Sequence, residues 1–118
     1  MYASLILGGI CVVIFLIQNI IPGFTDNFAL ISSQILQKPW MIVTSIFLHA
    51  DIMHLVYNMF ALALFGLVLE GIVGRKRFLL IFFTAGILAS IGSLFLYKAS
   101  LGASGAIFGI LGTLALLR

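Results

Sequence analysis

From Phe78 to Tyr97 the chain runs for 20 residues without one charged side chain, and nothing else in it restricts the possible folds as sharply. Coiled as an α-helix at about 1.5 Å per residue, such a run covers the roughly 30 Å of hydrocarbon in a bilayer. Its backbone groups must then be satisfied within the segment itself, so the run predicts a spanning helix. The same reading applies to Tyr2–Ile21 and to a stretch that begins near Met53 and ends at Glu70–Gly71, and a shorter apolar segment covers Ser104–Leu117. Composition agrees: 64% of residues are hydrophobic and 8% charged, too little polar surface to coat a water-soluble globule. The 118 residues are therefore expected to form one all-α domain, a polytopic transmembrane helical bundle with spans at about 2–21, 53–70, 78–97 and 104–117.

Several classes fall away. The first run starts without a basic residue and is long for a signal peptide, so it is kept as a span. A net charge of +3 from six basic and three acidic side chains is too small and too dispersed for a nucleic-acid surface. A lone Cys11 permits neither an internal disulfide nor a cysteine-built metal site. Between Pro22 and Pro39 the polar residues crowd together and mark a loop, within which Phe24 to Leu36 carry near-helical apolar spacing that suggests one short amphipathic piece at the interface. Trp40 suits the aromatic belt. Ile42 to Asp51 are placed at the interface or within protein, since isolated polar groups in hydrocarbon cost several kcal/mol. The triplet Arg75, Lys76, Arg77 and the terminal Arg118 put one end of the spans, with the N-terminus, on the cytoplasmic side; Lys38, Lys98, Asp26 and Asp51 fall opposite.

The last segment is too short. Ser104–Leu117 reaches only about 21 Å, so if it ends at one surface, Ser104 begins part-way into the bilayer, and the non-helical residues before it must be buried or line a wet cavity. In Gly102-Ala-Ser-Gly-Ala-Ile-Phe-Gly109 glycines let backbone approach closely, while a helix's first turn offers unpaired N–H donors and a partial positive charge. A hydroxyl placed there is a nucleophile beside an oxyanion site. His54 and Asn58, four residues apart, lie about 40° apart on a helix and face one neighbour, with His49 close by. Plainer readings stay open. Gly105-x-x-x-Gly109 is a packing motif, matched by the four-residue spacing of Ala85, Ala89 and Ser93. His54 and Asn58 can serve as interhelical hydrogen bonds, and Glu70 can anchor a helix end at the surface. Two imidazoles with one carboxylate make a weak metal set, and no metal is expected. The basic triplet is a topology signal first and a lipid-headgroup contact second.

Taken together, His49-Ala-Asp-Ile-Met-His54-Leu-Val-Tyr-Asn58, then Gly66 and Glu70, then Gly102-Ala-Ser104-Gly105 through Gly109 resemble the rhomboid family of intramembrane serine proteases, over Trp40 to Leu117. The resemblance implies a bundle in which Ser104 starts a short central helix at the base of a water-filled cavity. It implies that Ser104 is the nucleophile, that His54 and Asn58 with the backbone at Gly102 and Ala103 form the oxyanion hole, and that His49, Gly105 and Glu70 support the site. Substrates would be single-span membrane proteins, cut near the outer leaflet without a cofactor. Two features depart from the family: Met41 follows Trp40 where arginine is common, and four spans are present of a six-span core whose sixth carries the general-base histidine. Neither His49 nor His54 matches that base. A chain truncated before those spans, and inactive unless they are supplied, is the expectation. The rival is a non-catalytic rhomboid-like protein that binds transmembrane clients.

Overall fold

A computed structural model describes residues 2–117; Arg118, which enters the charge reading, lies outside the described residues. Among the described residues three helices are long and apolar enough to cross a membrane: α1 (Ala3–Ile20), a second at Ile52–Val73, and α6 (Arg75–Leu96); α7 (Ser104–Leu117) is shorter. The second span is not uniform. It consists of α4 (Ile52–Ala61), a π-helical turn at Leu62–Gly66, and α5 (Leu67–Val73). A π turn accommodates one residue more than regular α-helix would.

The helix ends follow local chemistry. α1 has no side-chain cap of its own; the N–H groups of Ala3 and Ser4 donate instead to the two Glu70 carboxylate oxygens at 2.7 and 2.9 Å. Those are donors that no intrahelical carbonyl can reach, and a carboxylate there also meets the positive end of the helix dipole. Asp51 caps α4 by accepting from the His54 N–H at 2.8 Å. Gly74 turns the chain from α5 into α6 at φ +90°, a value an L side chain rarely adopts.

The single amphipathic piece expected between Phe24 and Leu36 is broken in the structure. It becomes α2 (Phe24–Phe28), a two-residue strand β1 (Leu30–Ile31) and a 3-10 turn at Ser32–Gln34. β1 pairs antiparallel with β2 (Ala99–Ser100), Leu30 opposite Ser100 and Ile31 opposite Ala99. Ser32 extends the seam, its N–H donating to Lys98 O at 3.0 Å and its hydroxyl to Tyr97 O at 2.6 Å. Backbone pairing between two distant loops outcompetes the local helical preference of the apolar residues. The result ties the loop after α1 to the segment that leads into Ser104.

The core gathers Leu7, Ile46, Leu62, Leu69, Phe78, Phe82, Ala106 and Ile110 around the inner face of α7, and Cys11 is buried. α6 and α7 touch almost backbone to backbone. A Cβ added at Gly105 would overlap the Ala89 Cβ, and one at Gly109 the Ala85 Cβ. Small side chains on both partners are what let two apolar helices approach this closely where lipid offers no competing hydrophobic drive. α3 (Met41–Thr44) and a 3-10 turn at Ser45–Phe47 then wedge Ile46 against α6, where a Cβ at Gly86 would stand 2.6 Å from Ile46 Cδ1.

Candidate active site

Asp51 begins α4 by capping it, and the cap turns the loop 48–51 back over the helix. There the Ala50 N–H donates to His54 Nδ1 at 3.2 Å. A ring nitrogen that accepts carries no hydrogen, so the neutral imidazole bears its proton on Nε2; the hydrogen-bond network assigns this tautomer. That edge of the ring faces Gly102. A Cβ built on Gly102 would lie 2.6 Å from His54 Cε1, 2.9 Å from Nε2 and 3.6 Å from Asn58 Nδ2. Gly102 has φ +114°, and only a residue without a side chain fits both that dihedral and that contact.

Asn58 Nδ2 is buried and has no hydrogen-bond partner among the described residues. Leaving such a donor unpaired costs about 1–3 kcal/mol, a cost recovered when an acceptor enters. The Gly102 N–H is already taken, donating to Ser45 O at 2.8 Å. Ala103 precedes α7 and its carbonyl accepts from the Ile107 N–H at 3.0 Å, so the N–H groups of Ala103 to Ala106 lie ahead of any intrahelical acceptor.

Ser104 is the first residue of α7 and half-buried. It lines a cavity of about 120 Å³ whose wall also carries Ser45, Ser90, Ser93 and Ser100. The volume admits a few waters and the hydroxyls can hold them. His54 and Asn58 do not line this cavity; they meet the chain at Gly102. The structure thus brings His54, Asn58 and Gly102 into contact and sets Ser104 two residues further on, in a polar hollow.

The remaining candidates are placed differently. His49 is 0% exposed, with its ring centroid 4.9 Å from that of His54 and neither ring nitrogen hydrogen-bonded among the described residues. Burial, and then the neighbouring His54 ring, push its pKa down to about 4, partly offset by the Phe47 carbonyl, so the ring is neutral at ordinary pH. Gly105 packs against Ala89 and also lines the cavity beside Ser104. Glu70 is remote, spent on the start of α1. No group of three or more His, Cys, Asp or Glu side chains capable of holding a metal ion occurs among the described residues.

One contact escaped the sequence reading. Gln18, near the end of α1, donates to His49 O at 3.0 Å and accepts from the His49 N–H at 3.1 Å. The signal in the sequence was the adjacent carboxamide pair Gln18-Asn19 near the end of a largely apolar span.

Comparison with known proteins bears on the same region. The family model described as Rhomboid domain matches residues 36–118. Rhomboid protease GluP of Bacillus subtilis is 50% identical over 76 residues, 64% of this chain and 15% of that protein. Putative rhomboid protease YdcA of Bacillus subtilis is 42% identical over 76 residues, 62% of this chain and 38% of the relative. Rhomboid protein 1, mitochondrial, of Saccharomyces cerevisiae is 33% identical over 102 residues, 80% of this chain and 30% of its own length. The chain spans well under half of each of these relatives.

Proposed function

The chain belongs to the rhomboid family, and from that premise we propose that it carries the nucleophile and oxyanion half of an intramembrane serine endopeptidase acting on transmembrane protein substrates. What supports the reading is the convergence on Gly102 of a His54 ring whose free edge bears a proton and of an Asn58 amide that lacks an acceptor. Both are donors held in place before any substrate arrives, and preorganised donors of this kind are worth about 10²-fold to 10³-fold each.

In this mechanism Ser104 Oγ attacks the scissile carbonyl, its proton passes to a general base, and the carbonyl oxygen becomes an oxyanion. The oxyanion accepts from His54 Nε2–H, from Asn58 Nδ2 and from backbone N–H at Ala103 and Ser104, where the dipole of α7 adds its positive end. As the intermediate collapses the C–N bond breaks, the base returns its proton to the departing amine, and an acyl-serine is left. Water held by the Ser45, Ser90, Ser93 and Ser100 hydroxyls then hydrolyses it. Neither histidine of the chain suits the role of base. His54 Nδ1 is engaged by Ala50 and its Nε2 is protonated, while His49 is buried behind it. We therefore assign the base to a part of the whole protein outside these residues. α6 begins at Arg75 and ends near β2, which sets Ser104 at the end of the bundle opposite the basic triplet; by the charge rule that end is extracytoplasmic.

The test is labelling by a fluorophosphonate of the full-length protein containing this chain, in membranes, against Ser104→Ala, with cleavage of a labelled single-span substrate alongside. Ser104-dependent labelling and cleavage are expected, and both are expected to be lost when residues 1–118 are presented alone. A folded full-length protein that ignores the probe would remove the protease reading and leave a client-binding one.

A further inference from the structure

Gln18 engages both its amide hydrogens and its carbonyl, with two of the three bonds on His49. Its Nε2 donates to His49 O at 3.0 Å and to Thr25 Oγ1 at 3.1 Å, and its Oε1 accepts from the His49 N–H at 3.1 Å. A primary carboxamide has two donor hydrogens and one carbonyl, and all are engaged. The backbone partners also fix which way the amide points, since the reverse would set carbonyl against carbonyl.

Gripping both polar groups of one residue is how a strand holds its neighbour. Here a side chain of the first span does so to an isolated loop residue, with consequences one residue further along. His49 is held at its N–H and C=O, Ala50 follows, and the Ala50 N–H donates to His54 Nδ1. That hydrogen bond keeps the His54 proton on Nε2, the edge that meets Gly102. The chain of contact from Gln18 to the oxyanion site is therefore continuous and hydrogen-bonded up to the His54 ring.

We infer that Gln18 is a positioning residue: its carboxamide holds residues 49–50 so that His54 keeps its Nδ1 acceptor occupied and presents Nε2–H at Gly102. The inference makes the end of α1 part of the scaffold of the site, and it rests on the protease reading only for its effect on rate.

The experiment uses the full-length protein in bicelles with ¹⁵N-labelled histidine. In Gln18→Met, similar in length and apolar, the His54 ring is expected to lose its single Nε2–H tautomer signature and exchange between the two forms. The maximal rate of fluorophosphonate labelling at Ser104 is expected to fall by about 10²-fold, the scale of an angstrom-level misplacement, with the half-saturating probe concentration little changed. Gln18→Glu keeps the shape and the acceptor for the His49 N–H but loses both donors, and an intermediate rate is expected. It also decides the matter should Gln18→Met fail to fold. Wild-type rate and unchanged His54 signals in a folded variant overturn the inference. A wild-type protein inert to the probe, whose His54 tautomer is nevertheless lost in the variants, sinks the protease reading and upholds the positioning role.

Discussion

Asn58 is buried with a donor that has no acceptor among the described residues, a net cost to the fold unless an acceptor enters. Asn58→Leu is therefore expected to leave resistance to denaturant equal to wild type or higher, because an unpaired polar group worth about 1–3 kcal/mol is gone, while Ser104 labelling in the full-length protein falls by about 10²-fold or more. Measuring both on one preparation checks it; a parallel loss of stability and labelling would mean that the amide is interhelical glue. His49 gives a pH signature. Its pKa of about 4 lies below the ordinary 6.5, so the unfolded chain binds the proton first as pH falls. The stability that neutral His49 supports is whole above about 6.5 and is lost as pH drops toward about 4, by at most about 3 kcal/mol. Unfolding midpoints across that window should slope downward in wild type and be flatter in His49→Phe. The candidates Ser104, His54 and Asn58 stood out in the sequence because polar side chains inside apolar runs are few, with His54 and Asn58 at helical spacing. Gln18 was not, since its meaning lies in a tertiary contact with His49 that no spacing encodes.

Between elements, α6 and α7 approach closely at small residues that were readable on both sides. Ala85 and Ala89 recur at four residues, as do Gly105 and Gly109, and the structure sets one pair against the other. Gly109→Ala is expected to cost about 1–3 kcal/mol through overpacking against Ala85, and Ala85→Gly in the same chain should recover part of it. A double-mutant cycle in detergent unfolding measures that coupling. Additive losses would mean that the helices adjust without meeting at those carbons. The β1–β2 seam was not readable. Two-residue strands carry no periodicity, and the apolar residues from Phe24 to Leu36 fit a helix until Leu30 and Ile31 find Ser100 and Ala99.

Across the whole molecule, α1 is fastened at both ends by polar bonds rather than by apolar packing alone, at Glu70 through Ala3 and Ser4 and at Gln18 through His49. Glu70→Ala should strand two buried N–H donors and lower stability by about 2 kcal/mol or more, seen as an earlier unfolding midpoint at neutral pH; an unchanged midpoint would mean that α1 stays docked without its cap. The distant anchoring explains why Glu70 falls within the resembling motif yet stands away from Ser104. The π turn at Leu62–Gly66 lies between the two duties of the second span. On one side of it Asn58 is aimed at Gly102, and on the other Glu70 is aimed at the start of α1. Removing one residue from that turn would change the phase between the halves by about 100°. The span works as a crankshaft with two throws, and whichever throw stayed seated, the other would swing off its bearing.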